Sequence, residues 1–333
     1  MTLKDLIDEL TIDVTDVINT SFSYCDAYNV PRRSDPQLTY ERGIEKKGKA
    51  IHTCILFVDI RNSVALTIKH HSITMGRIYT AFTKGVLKIA KHHGGHIRNV
   101  IGDRVMIVFP PNNCFTNAVD CAISINCFAK NVMNKQFNGV DFKCGIGIDY
   151  GKLKVLKVGI PRRGPEMIEN RALVWTGYPA NIASRLTDVA NKTIEENYFE
   201  VIRNPINPKQ MFGHLFTNYF NPLLGINTTN DNEPYYLQTK ESKEMTIEEF
   251  ANSISSYQEG SLDMSGGKFI TFSKKSRNII YPEILMTADV YNGFKSANPE
   301  RNSIKYKSWT ELTHIIKNVD KKVYGGSVTW TLT

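Results

Sequence analysis

The run Cys54-Ile55-Leu56-Phe57-Val58 ends in an acid, Asp59. An uninterrupted apolar run of this length reads as a strand buried in a sheet. A carboxylate rarely closes such a run without a partner or a task. The patterns that follow it fix the kind of sheet. Residues 72–93 read as a helix stopped by Gly94-Gly95. Residues 97–101 and 105–109 read as two short strands in a tight hairpin around Gly102-Asp103. Residues 115–135 carry apolar side chains at helical spacing. Residues 142–148 and 153–158 read as a second hairpin around Asp149-Tyr150-Gly151, and 178–190 as a further helix. The order β-α-β-β-α-β predicts an α+β fold, a ferredoxin-like sheet with helices on one face and additional strands.

The flanks of this core differ in texture. Leu3, Leu6, Ile7, Leu10, Val14, Val17 and Ile18 predict one or two amphipathic helices within 3–29. Residues 31–36 read as a linker and 45–49 as a charged lead-in. Residues 194–277 are rich in Asn, Ser, Tyr and Phe with weak periodicity, which suggests an insertion placed late in the core. A strand at 283–286, a helix at 288–295 and a last strand at 323–332, bulged at Gly325-Gly326, resume the core pattern. The expected organisation is an N-terminal helical arm and linker (1–49), the core (50–193), an accessory subdomain (194–277) and closing strands (278–333).

Length and charge narrow the function classes. The chain has 333 residues, 41% hydrophobic and 22% charged, enough to bury a core and too apolar for general disorder. Its net charge of +8 favours anionic partners: nucleic acid, nucleotide phosphates or acidic membranes. No helix-turn-helix, RRM or OB signature supports nucleic acid. No apolar run is long enough to span a bilayer, and the acids within MTLKDLIDEL argue against a secretory signal. A cytoplasmic location is expected. The six cysteines form no CxxC pair and read as buried thiols.

The chemistry centres on Asp59 and Asp103. Two carboxylates converging from adjacent strands suit Mg²⁺ or Mn²⁺. Either acid alone reads better as a solvated strand end or a turn residue; the two together, with the features below, favour metal ligation. Ile60-Arg61-Asn62-Ser63 leads towards a helix whose first N–H groups suit phosphate, with Ser63 as its cap. Arg61 and Arg104 flank the acids, either contacting phosphates or solvating the rim. Asn181 and Arg185 are four apart and share a helix face. Gly145-Ile146-Gly147 lacks the GxGxxG spacing, and no GxxxxGK[ST] loop is present. The histidines at 70–71 and 92–96 read as a polar helix face. The basic stretch 161–164 reads as a loop near phosphates or a solvated turn.

Phe57-Val58-Asp59-Ile60, Ile101-Gly102-Asp103-Arg104-Val105-Met106 and Asn181-Ile182-Ala183-Ser184-Arg185 occur in the order of the class III nucleotidyl cyclase domain, which the chain resembles over 50–191. The resemblance implies cyclisation of a nucleoside triphosphate with release of pyrophosphate and two divalent ions, Mn²⁺ or Mg²⁺. It implies that Asp59, Ile60 and Asp103 hold metal, that Ile60, Asn62 and Ser63 meet phosphate, that Arg185 stabilises charge on the α-phosphate and that Asn181 orients the ribose. It implies a head-to-tail homodimer with sites at the interface. A lysine near the last strand commonly holds the triphosphate; here Lys321 or Lys322 stands in that stretch. The two positions that read the base fall at Asn99, beside Arg98, and near Val174-Trp175, and neither matches a purine pattern. Stretches at 58–66, 98–104, 117–126 and 143–151 resemble the cyclases of the bacterial Pycsar anti-phage system. That resemblance implies UTP or CTP as substrate and a cyclic UMP or cyclic CMP messenger for a separate effector. An adenylate cyclase with an altered base pocket, or a non-catalytic nucleotide-binding domain, is the alternative.

Overall fold

The computed structural model describes residues 2–160, 171–208, 234–258 and 261–331. The chain divides into two compact units: Met1–Lys192 with Ile280–Thr333, and Thr193–Ile279.

The first unit is organised by two long antiparallel strands. In chain order its strands are β1 (Phe22–Asp26), β2 (Lys46–Ile60), β3 (His96–Ile101), β4 (Arg104–Val108), β5 (Cys144–Gly159) and β6 (Arg171–Thr176). Its helices are α1 (Leu3–Asn19), α2 (Ser63–Lys69), α3 (Ser72–His92), α4 (Cys114–Phe128) and α5 (Tyr178–Val189). The strand-helix-strand-strand-helix-strand order through β2, α3, β3, β4, α4 and β5 is the α+β plan expected. The sheet is completed from the end of the chain by β12 (Ile284–Thr287), β13 (Thr310–Glu311) and β14 (Val323–Gly326), in the spatial order β13-β14-β12-β5-β2-β4-β3. β1 adds parallel to residues 46–50 of β2, and β6 adds antiparallel to residues 154–159 of β5.

The sheet is covered on both faces, which corrects the one-sided expectation. Cys54, Leu56, Val58, Ile146 and Ile148 pack against α3, α4 and α7 (Ala288–Ala297). Ile51, Ile55, Val108, Leu153 and Val155 face the other way, against Ala180 and Ala183 of α5. Alternation in the strands produces two cores from one run. Gly147 lets α5 close on the sheet: a Cβ there would lie 2.3 Å from the Ala183 carbonyl oxygen. That close approach is the role of Gly145-Ile146-Gly147, since a Cβ at Gly145 would likewise meet the Ala190 carbonyl at 2.5 Å.

Four other expectations change. Residues 22–26 are strand β1 rather than a second helix. Residues 31–36 are a turn fixed to the sheet, with Lys49 paired to Asp35 at 2.5 Å and Val30 and Leu38 buried on either side. No hairpin forms at 149–151: β5 runs unbroken from Cys144 to Gly159 and is paired to β2 from Cys144 to Val155. The last strand is four residues long and unbulged, with Gly325 opposite Leu285 and Gly326 opposite Ile284. Unbroken passage through Asp149 is possible because Thr287 Oγ1 donates to it at 2.6 Å and Lys321 Nζ at 3.0 Å.

The second unit is a separate antiparallel sheet. β7 (Thr193–Pro205), β8 (Glu241–Met245), β9 (Ile254–Gln258), β10 (Ser261–Met264) and β11 (Gly267–Ile280) lie in the order β8-β7-β11-β10-β9. The helix α6 (Ile247–Ser253) starts with a capping box, Thr246 to Glu249, and buries Phe250 with Val201, Met245 and Met264.

Candidate functional site

β2 brings Asp59 to the end of the sheet opposite Gly145, on the α5 face. The β3–β4 turn brings Asp103 beside it. Burial and the neighbouring Asp59 charge push the Asp103 carboxyl above its usual range, while Ser63 pulls it part of the way back. The two acids and Ser63 therefore form one group. Asn62 rather than Ser63 precedes the helix as its cap residue, in the left-handed region at φ 56°, and Ser63 is the first helical residue.

The arginines are less peripheral than the sequence suggested. Arg61 is buried and donates to Asp59 Oδ2 at 3.1 Å and to the Asp188 carbonyl at 3.2 Å. Burial lowers its pKa and the Asp59 charge opposes the shift. Arg104 donates to Asp59 Oδ2 and to Ser184 Oγ, each at 2.9 Å, and pairs with Asp188. Ser184 and Asp188 were not anticipated; their spacing on the helix that carries Asn181 and Arg185 was the available signal. Asn181 and Arg185 themselves are exposed on the outer face of α5.

A second group lies along β3. A bulge between Ile97 and Asn99 displaces Arg98, and Asn99 pairs opposite Met106 with its side chain exposed. Arg98 Nη1 donates to the Ile97 carbonyl at 3.0 Å. Its Nε and Nη2 are buried and have no partner. The guanidinium lies 5.8 Å from the centre of the Trp175 ring, whose Nε1 is also buried and unpartnered. Burial, then the charge of Arg32, lowers the Arg98 pKa. The structure thus joins Arg98 and Trp175, two of the residues singled out for base recognition.

The lysines near the last strand are engaged. Lys321 pairs with Asp149 and with Asp289, each at 3.0 Å, and Lys322 pairs with Glu311 at 3.0 Å. The basic stretch 161–164 lies outside the described residues. Among the described residues no helix is long and apolar enough to cross a membrane, and no three His, Cys, Asp or Glu side chains converge as a metal cluster. Asp59 and Asp103 still fit a hard divalent cation. They supply oxygen ligands, and their mutual repulsion is the stress a cation relieves; Mg²⁺ usually takes one or two carboxylates and fills the rest with water and phosphate.

The chain is 29% identical over 193 residues to a uridylate cyclase from Burkholderia cepacia, covering 56% of this chain and 79% of that protein. It is 26% identical over 192 residues to a uridylate cyclase from Gulbenkiania mobilis, covering 54% and 69%. This chain is thus similar in sequence to uridylate cyclases. A cytidylate cyclase from Staphylococcus aureus is 30% identical over 118 residues, covering 33% of this chain and 28% of that protein. Among solved structures, the chain aligns with the adenylyl cyclase CyaB from P. aeruginosa at TM-score 0.44 and 13% identity, covering 84% and 94% of the two chains. No family model matches the sequence.

Proposed function

We propose that the protein is a nucleotidyl cyclase that converts a pyrimidine nucleoside triphosphate, UTP ahead of CTP, to its 3′,5′-cyclic monophosphate and pyrophosphate. The observation that carries this reading is the contact group of Asp59 and Asp103 at the sheet end, with Asn181 and Arg185 exposed on the neighbouring helix. The ribose 3′-oxygen forms a bond to the α-phosphorus while the bond to the bridging oxygen of the leaving pyrophosphate breaks, and the hydroxyl proton passes to solvent. Divalent ions held by Asp59, Asp103 and the Ile60 carbonyl would supply charge neutralisation and lower the pKa of that hydroxyl. Arg185 meets the charge that grows on the α-phosphate, and Asn181 holds the ribose in line. Such chemistry depends mainly on positioning and electrostatics. Asn62 and Ser63 border the phosphates beside the acids.

In this reading two copies complete one site, the acids of one copy facing Asn181 and Arg185 of the other. The exposure of those two side chains supports it.

Unpartnered donors support uracil ahead of cytosine. Arg98 Nε and Nη2 and Trp175 Nε1 only donate. They suit the O4 acceptor of uracil and oppose the amino group that cytosine carries there. Asn99 supplies both a donor and an acceptor for the rest of the edge. The likeness to the Pycsar cyclases supports a role for the product as an anti-phage messenger acting on a separate effector.

The test offers the purified chain all four triphosphates with Mn²⁺ and identifies products by chromatography. Cyclic UMP with stoichiometric pyrophosphate is expected. Cyclic AMP as the sole product overturns the pyrimidine reading, and binding without any turnover overturns the catalytic one.

A further inference from the structure

A second site lies on the opposite side of the first unit's sheet. There a cavity of about 440 Å³ opens between α4, the segment 294–308 and the tail 328–331. This volume is within the range of small-molecule sites. The tail is pinned over α4: Asn126 Nδ2 donates to the Val328 carbonyl at 3.0 Å, and Trp330 Nε1 donates to Ser124 Oγ at 2.8 Å. Phe294, Tyr306, Val328 and Trp330 supply apolar wall.

Asp120 and Arg301 line the same cavity. Asp120 is only 8% exposed, although it carries a carboxylate. Its Oδ2 accepts from Arg301 Nη2 at 2.6 Å, and its Oδ1 is buried with no partner. A half-satisfied buried carboxylate is costly to maintain. Arg301 rests 5.5 Å from the centre of the Trp330 ring, and Nη2 carries its side-chain hydrogen bond, leaving Nε and Nη1 as further donors. The cavity wall therefore holds a carboxylate with one unsatisfied buried oxygen beside further guanidinium donors and an apolar surface.

We propose that this cavity binds a free α-amino acid with an apolar side chain, its ammonium on Asp120 Oδ1, its carboxylate on the Arg301 guanidinium and its side chain against the apolar wall. Each half of the pair gains a charge-assisted bond beyond the one they share. An amine without a carboxylate leaves Arg301 unmatched, and an acid without an ammonium meets the Asp120 charge. The site is separate from the acids at the sheet end, because α4 and α5 cover opposite faces.

Calorimetric titration of the full chain with L-phenylalanine and L-leucine tests this, against 2-phenylethylamine and 3-phenylpropanoate. Saturable binding of at least one amino acid is expected, with both single-charge analogues weaker by about tenfold or more. Asp120→Asn and Arg301→Gln, checked by circular dichroism for intact folding, should each weaken binding by a similar factor and leave nucleotide turnover unchanged. No binding of either amino acid at millimolar concentration overturns the proposal. Equal binding of the analogues does so too, and that arm needs no variant to fold.

Discussion

Arg104 Nη2 donates to Asp59 Oδ2 at 2.9 Å. Through Ser184 and Asp188 the same side chain also holds α5. One residue of the β3–β4 hairpin therefore ties the strand that carries Asp59 to the helix that carries Asn181 and Arg185.

Removing that tie should loosen the helix without unfolding the sheet. Arg104→Ala is expected to cost about 1–2 kcal/mol, since its charge-assisted bonds are partly exposed. Asp59 keeps Arg61. Urea unfolding monitored by circular dichroism measures the loss, and turnover should fall with it because α5 is less firmly placed.

Asp103→Asn should separate stability from function. The Asp103 carboxyl has its folded pKa raised above the ordinary 3.8, first by burial and then by Asp59. Such a group binds its proton more tightly when folded. Its favourable contribution is complete below the ordinary value and is lost as pH rises through the raised one. At neutral pH, without metal, Asp103→Asn should therefore melt above the parent, because an amide N–H faces Asp59 where a charge did. The gap should close in acid below the ordinary value. Turnover should drop by more than about a hundredfold. Added Mn²⁺ should raise the melting temperature of the parent and leave the variant nearly unmoved.

A divided site predicts complementation. Asp59→Ala and Arg185→Ala should each abolish turnover alone. Mixed and allowed to exchange, half of the dimers carry both changes on different copies and keep one intact site of two. Activity should return to roughly a quarter of the parent level. A mixture as inactive as its components would show that each copy builds its site alone.

Lys321 should matter for stability through Asp149. Asp149 is fully buried, and burial pushes its carboxyl up while Thr287 and Lys321 hold it down. Lys321→Met leaves that charge uncompensated, at a cost of about 3–5 kcal/mol. Asp149→Asn in the same chain should restore most of the loss. Failure of the second change to rescue the first, read from denaturant midpoints, would deny that the ion pair is what Lys321 contributes.

Local pattern made much of this fold readable. The apolar run ending in Asp59, the helical spacing of 72–93 and the Gly102-Asp103 turn each follow from short-range periodicity and turn chemistry. The misreadings share a cause. Lys46 and Lys49 made 45–49 read as a charged lead-in rather than the start of β2, yet Lys46 pairs with Asp16 at 2.8 Å and Lys49 with Asp35 at 2.5 Å. Asp149 looked like a turn because its partner Lys321 lies 172 residues away. A charge inside a strand is tolerated once neutralised, and local sequence does not show what neutralises it.

The sequence alone determined the order of the core elements from β2 to α4, the positions of the two acids in it and the helix spacing of Asn181 and Arg185, because these depend on residue type and distance along the chain. Only the tertiary structure decided that α5 covers the second face, with glycines on β5 admitting it. Only it showed that Asp59 is clamped by Arg61 and Arg104, and that Arg98 and Trp175 meet with donors unspent. These facts depend on which surfaces approach closely and which polar atoms are left dry, and both are set by packing between distant segments.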